Sequence, residues 1–135
     1  MNSRTKKYTA EEIIMLSKAL YKKKEAYEWL KENDCKELAA FTDVLVHDNK
    51  SALTFLHKFN FEVITEFLGA LDDRPSAYKY LMENDAKEWA AVISMLNNSS
   101  DALTWLTEND LKHYTVLSNA LQKVIIDIND RRFGN

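Results

Sequence analysis

The strongest constraint in this sequence is a short block that occurs four times at nearly constant spacing. Each copy has Ala, an aromatic residue three positions later and then Leu, and the copies span residues 26–30, 52–56, 77–81 and 102–106. They begin 26, 25 and 25 residues apart. A fixed period of this size is typical of repeat proteins, whose units bury their apolar faces against one another. The sequence therefore predicts a stack of similar helical units.

A short polar residue follows each block and is suited to begin a second helix. This position is held by Asp34, Asn60, Asp85 and Asp110, and 25 residues before the first of them by Thr9. These residue types are favoured N-caps. Glu stands three positions later in three cases, which predicts the capping boxes Thr9/Glu12, Asp34/Glu37 and Asp85/Glu88.

Apolar residues at constant distances from each cap predict five long helices. The fourth position after the cap holds Ile13, Leu38, Ile64, Trp89 and Tyr114, and the eleventh is Leu in every copy. We therefore expect an all-α fold, an α-α superhelix (solenoid) of about nine helices in one domain, residues 1–135. An N-terminal half-repeat (9–24) precedes four short-long hairpins (25–50, 51–75, 76–100, 101–128), and residues 129–135 form a frayed tail. With layers about 10 Å apart, the rod would be on the order of 50 Å long.

The turns between short and long helices differ in one repeat. Asn33, Asn84 and Asn109 precede the capping residue in three repeats, and Asn readily takes the left-handed conformation that ends a helix. Repeat two has Phe59 instead, which is poorly suited to positive φ. We therefore expect a differently shaped turn there. Repeats one and three otherwise resemble each other, as do two and four, which indicates duplication of a two-repeat unit.

Composition and charge narrow the functional classes. The chain is 46% apolar and 29% charged, with a net charge of −3. It has no apolar run that could span a bilayer and no signal-peptide pattern, so we expect a cytoplasmic protein without membrane association. Residues 1–24 carry a charge of +5, but the acidity of the rest argues against a nucleic-acid groove. The single Cys35 lies in an inward column and is expected to be a buried apolar residue.

The residues needed for catalysis do not form a recognisable pattern. His47, His57 and His113 share no repeat column and lack metal-ligand spacing. Phosphate loops, nucleophile elbows and Cys-x-x-Cys motifs are missing from the sequence. The Glu column could suggest acid–base chemistry, but capping accounts for it. The prediction is a protein that is not an enzyme and has no catalytic residue, cofactor or metal.

The edge of the short helices is the candidate surface for a partner. The predicted partner-binding residues are Tyr27, Leu53, Tyr78, Met82, Leu103 and Phe59. Tyr and Met are enriched at protein interfaces. The alternative use of this edge is packing between repeats.

The last long segment continues past the repeat length. Leu117, Leu121, Val124, Ile125 and Ile128 form one stripe, whereas Ile126 falls outside it. This helix is expected to cover the end of the stack, or else to pair with a second molecule. The protein is therefore predicted to be a monomer, or a weak homodimer through the C-terminal helix.

Over residues 9–128 the pattern resembles the broad α-solenoid class that includes HEAT and tetratricopeptide repeats. The tetratricopeptide signature Trp-x-x-Leu-Gly-x-x-Tyr and the ankyrin Thr-Pro-Leu-His are absent from the sequence. The resemblance implies a non-enzymatic module that binds a protein or peptide. The alternatives are a regulatory or inhibitory, immunity-like protein that blocks one folded partner, and a HEAT-like nucleic-acid-binding or repair protein.

Overall fold

The computed structural model describes residues 6–132, which form nine helices and no strand. Long and short helices alternate along the chain. They are α1 (Ala10–Leu20), α2 (Lys24–Glu32), α3 (Lys36–His47), α4 (Lys50–Lys58), α5 (Glu62–Leu71), α6 (Pro75–Glu83), α7 (Lys87–Leu96), α8 (Ser100–Glu108) and α9 (His113–Arg132). Along residues 6–132, no helix combines the length and the apolar composition that crossing a membrane requires.

The odd-numbered helices form a closed ring. Helices α1, α3, α5, α7 and α9 each contact the next, and α9 also packs extensively against α1. Each of α2, α4, α6 and α8 packs against the two long helices that flank it in sequence, which makes an outer layer. The predicted nine-helix array of short-long repeats is confirmed. The predicted open rod is wrong, because the last long helix returns to the first.

Aromatic residues fill the interior of the ring. The Phe41 ring centre lies 5.7 Å from that of Phe67, which lies 4.9 Å from that of Trp89. Trp89 in turn lies 5.5 Å from Tyr114, edge to face. These pairs link α3, α5, α7 and α9, and all four side chains are fully buried. Large edge-to-face aromatics supply the apolar area that a small ring needs at its centre.

Helix α9 closes the ring with its apolar stripe. Leu117, Leu121 and Val124 are buried, whereas Ile126 is 50% exposed, as its position outside the stripe predicts. Helix α9 continues to Arg132, so residues 129–132 of the predicted tail are helical, and the fraying expected there stays a prediction. Residues 133–135 of the predicted tail lie outside the described residues, as does Arg4 of the basic N-terminal segment.

The eight turns between helices all use the same backbone device. Each contains one residue with φ between 49° and 69°, and none of these residues is glycine: Lys22, Asp34, Asp48, Asn60, Asp73, Asp85, Asn98 and Asp110. After α2, the amide of Cys35 donates to the carbonyl of Leu30 at 2.9 Å, and α4, α6 and α8 end in the same way. This is the Schellman arrangement, which satisfies free carbonyls at a helix end.

Three predictions about these turns are wrong. Asn33, Asn84 and Asn109 do not take the left-handed conformation, since their φ angles are −116°, −116° and −102°. Asp34 and Asp85 end the preceding helix instead of capping the next one, and the N-cap positions of α3 and α7 have no side-chain cap bond. A capping box forms only at Thr9/Glu12 among the three predicted. The turn after Phe59 is also not unusual, because Phe59 has φ −99° and the left-handed residue is Asn60.

Lys22 is the only one of the eight left-handed residues that is neither Asn nor Asp, and it has φ 68°. We expect Lys22→Gly to raise the free energy of unfolding by about 1 kcal/mol. The reason is that the left-handed conformation costs an ordinary residue roughly 1–2 kcal/mol, partly offset by the larger backbone entropy of unfolded glycine. Urea denaturation measures the change. Lys23→Gly is the matched control because Lys23 has φ −81° and should gain nothing; equal effects of the two changes would contradict the argument.

Candidate functional site

The six predicted partner-binding residues lie on the short helices or at their ends. Phe59, Leu103 and Met82 are 56%, 43% and 40% exposed. Tyr27, Leu53 and Tyr78 are half-buried. The structure therefore divides the predicted set into three residues that are open to a partner and three that belong largely to the protein's own packing.

The two tyrosines fasten short helices to long ones. The Tyr27 hydroxyl on α2 donates to Asp43 Oδ2 on α3 at 2.7 Å, and the Tyr78 and Ser94 hydroxyls lie 3.0 Å apart between α6 and α7. Burial, and then the hydrogen bond to Asp43, raise the pKa of Tyr27 to about 12. These bonds give both tyrosines a structural role, and their part in binding stays a prediction.

A shallow cleft of about 410 Å³ lies between α6, α7 and α8. Tyr78, Met82 and Trp105 supply its apolar walls. In repeat one the position of Met82 is held by Lys31, whose ammonium lies 5.1 Å from the centre of the Tyr27 ring. The pairing of an exposed methionine with a tyrosine, Met82 with Tyr78, therefore occurs in repeat three but not in repeat one, which it otherwise resembles.

A second surface feature, which we call the aromatic corner, is formed by Phe55, Phe59 and Phe61 where α4 meets α5. The Phe59 ring lies 5.0 Å from that of Phe55, which lies 5.9 Å from that of Phe61. Lys58 Nζ lies 5.6 Å from the centre of the Phe59 ring. Phe59 is the most exposed of the large apolar side chains in the described part of the chain.

The other three repeats place Asn where repeat two has Phe59. The Asn33 side-chain amide donates to the carbonyl of Trp29 at 2.8 Å, and Asn84 and Asn109 make the equivalent bonds. Phe59 cannot make this bond. Repeat two therefore loses a hydrogen bond at the helix end and exposes apolar surface. A residue that breaks a structural pattern without stabilising the fold, as Phe59 does here, is expected to serve a function.

Buried carboxylates lie at the end of the ring where the long helices begin. Glu37 and Glu88 are only 3% and 5% exposed. Lys6 Nζ donates to Glu37 Oε2 at 2.9 Å, and Lys7 Nζ donates to Glu88 Oε2 at 3.0 Å. The Tyr8 hydroxyl also donates to Glu37 Oε2, at 2.6 Å. The described N-terminal segment thus crosses this end of the ring and neutralises carboxylates of α3 and α7.

These contacts replace the capping role that the sequence predicted for Glu37 and Glu88. Burial disfavours the Lys6 ammonium, but the hydrogen bond to Glu37 and the negative charge of Glu37 and Asp34 together outweigh burial and raise the pKa of Lys6. Glu12, the third member of the column, accepts from the Thr9 amide and from the Cys35 thiol. All three carboxylates therefore accept hydrogen bonds from donors of the protein itself.

Within residues 6–132, no group of three or more His, Cys, Asp or Glu side chains has a metal-binding arrangement. His113 is half-buried, and burial lowers its pKa, which favours the neutral ring at pH 7.

Comparison of the chain with protein-family models, with curated proteins and with solved structures gave no match. The fold defines the class to which the chain belongs, a helical-repeat protein whose long helices close into a ring. Inferences about function therefore depend on the surface features described above.

Cys35 is fully buried, and its thiol donates to Glu12 Oε2 at 3.5 Å. Burial, and then the Glu12 carboxylate, raise its pKa from 9.0 to about 12. We expect the folded protein to resist thiol reagents at pH 8. The reason is that the thiolate fraction of Cys35 at this pH is about three orders of magnitude below that of a thiol with the ordinary pKa.

Because the folded-state pKa of Cys35 exceeds its unfolded value, its contribution to stability is complete below about pH 9 and is lost as the pH rises toward about 12. Colorimetric titration of the thiol with and without urea tests the expected protection, and Cys35 is the only cysteine in the chain. Fast labelling of the folded protein would contradict it.

Phe59→Asn tests whether the aromatic corner stabilises the fold. The new side-chain bond to the carbonyl of Phe55 contributes about 0.5–1.5 kcal/mol, and the lost ring pair with Phe55 is of similar size. We expect the free energy of unfolding to change by less than about 1 kcal/mol, as measured by urea denaturation. Leu56→Ala, in the same helix but fully buried, should cost about 2–5 kcal/mol. A comparable loss for Phe59→Asn would make Phe59 a core residue.

Proposed function

We propose that the protein is a non-enzymatic protein-binding module and that its aromatic corner docks into an apolar pocket of one folded partner. The observation that carries this proposal is the exposure of Phe59 in place of a capping Asn. Folding gains little from that exchange, whereas binding gains an apolar anchor.

The corner has the composition of an interface hot spot. An aromatic side chain presents large apolar area and has few rotatable bonds, so little conformational entropy is lost when it is bound. Phe55 supports one side of the Phe59 ring, and Lys58 lies over the ring from another direction. A supported aromatic anchor with a polar rim is the pattern that carries most binding energy in protein interfaces.

The closure of the ring favours a folded protein over an extended peptide as the binding partner. Open solenoids bind peptides along a concave face. Here the inner sides of the long helices face one another around a filled core, so that face is used in folding. The aromatic corner is a projecting feature, which is suited to a pocket on another protein. Ring closure and the projecting corner therefore favour the regulatory or inhibitory alternative within the protein-binding class.

The nucleic-acid alternative is weakened by the N-terminal lysines. Lys6 and Lys7 form salt bridges with Glu37 and Glu88, so two charges of the basic segment are already compensated. The net charge of the chain is −3. A phosphate-binding surface needs several uncompensated cations on one face.

Quantitative capture from cells that express the natural chain tests the proposal. We expect Phe59→Asn to weaken binding of the partner about 30-fold or more, as hot-spot truncations do. The matched control is Ile126→Asn, because Ile126 is also an exposed apolar residue, but on α9. A photoreactive phenylalanine at position 59 should crosslink the partner, and one at position 126 should not. Unchanged capture by a folded Phe59→Asn protein would refute the proposal.

A further inference from the structure

The described N-terminal segment occupies two equivalent ammonium-binding sites. Lys6 Nζ donates to the carbonyl oxygen of Asp34 and to the Glu37 carboxylate, both at 2.9 Å. Lys7 Nζ makes the same pair of bonds with the carbonyl of Asp85 and the Glu88 carboxylate. The two acceptor sets lie 51 residues apart, at matching positions of repeats one and three.

Each site is suited to a cation. The Asp residue is left-handed and ends one helix, and the Glu side chain lies in the first turn of the next. The side chains of Glu37 and Glu88 are only 4% and 6% exposed, and a buried carboxylate requires a paired charge. In repeats two and four the Glu position holds Val63 and His113, so the array has two such sites.

The segment that fills the sites has the features of a ligand. Residues 6–9 are not helical, and adjacent side chains of an extended chain point in opposite directions, which suits two acceptors on separate helices. Tyr8 then inserts its ring edge-on to Trp89 at 5.9 Å. The lysine side chains remain 41% and 51% exposed, so they reach the acceptors from the solvent side.

We propose that the two sites form a receptor for an extended segment with two adjacent lysines followed by an aromatic residue. Residues 6–8 occupy it in the free protein as an intramolecular ligand, and a segment of this chemistry on a partner protein displaces them. This binding site shares no residue with the aromatic corner, and its test does not depend on the function proposed for that corner.

A peptide titration tests this proposal with the full chain. The probe is acetyl-Lys-Lys-Tyr-Thr-amide, and the readout is the NMR shift of the amides of Cys35 and Ala86, which follow the acceptor carbonyls. We expect Lys6→Ala/Lys7→Ala to bind the probe about tenfold more tightly than the unmodified chain, because the intramolecular competitor is weakened. Lys23→Ala/Lys24→Ala is the matched control, since it removes two adjacent exposed lysines outside the site.

Three outcomes would overturn the proposal. The first is that the probe does not bind the Lys6→Ala/Lys7→Ala protein. The second is that acetyl-Gln-Gln-Tyr-Thr-amide binds this protein as tightly as the probe does. The third is that this variant and the unmodified chain bind the probe with equal affinity. Adding Glu88→Gln to the double variant should weaken the response at Ala86 more than that at Cys35. If the double variant loses its helical circular dichroism, the titration is repeated with Lys7→Ala alone, which vacates the α7 site. The shift of the Ala86 amide then shows whether the probe binds at that site.

Discussion

The structure depends above all on the packing of the first long helix against the last. Without the contact between α1 and α9, the array would end in two exposed apolar faces, and further repeats could extend it. With it, five long helices share one interior that Phe41, Phe67, Trp89 and Tyr114 fill. Closure also removes the concave surface that open solenoids use for binding, and so moves any partner to the outer layer, to the turns or to an end of the ring.

Closure has an electrostatic consequence at one end. Because long and short helices alternate and run antiparallel, all five long helices begin at the same end of the ring, where their free amide groups favour negative charge. Glu37 and Glu88 are buried there, and Lys6 and Lys7 reach them from a segment outside the repeats. The same geometry that stabilises the carboxylates thus creates a place where a cation from elsewhere in the chain, or from a partner, is bound.

Particular residues show where sequence reasoning was sufficient and where it was not. The stripe on α9 and the exclusion of Ile126 follow from helical periodicity, which is a local property. The prediction places Asp34 and Asp85 at the wrong helix end, because short polar residues are suited both to N-caps and to left-handed C-terminal positions. Phe59 and the other exposed members of the candidate site could be placed on the short helices from spacing alone. That Phe59 replaces a bonded Asn became clear only from the bonds of Asn33, Asn84 and Asn109.

The repeat period, the alternation of short and long helices and the inward columns follow from the order of the amino acids, because they depend on spacing within about 25 residues. The closure of the array, the contacts of Lys6 and Lys7 with Glu37 and Glu88, and the exposure of the candidate binding residues are properties of the folded chain. They depend on small rotations between successive units. Such rotations accumulate over the whole chain, and no single repeat encodes the sum.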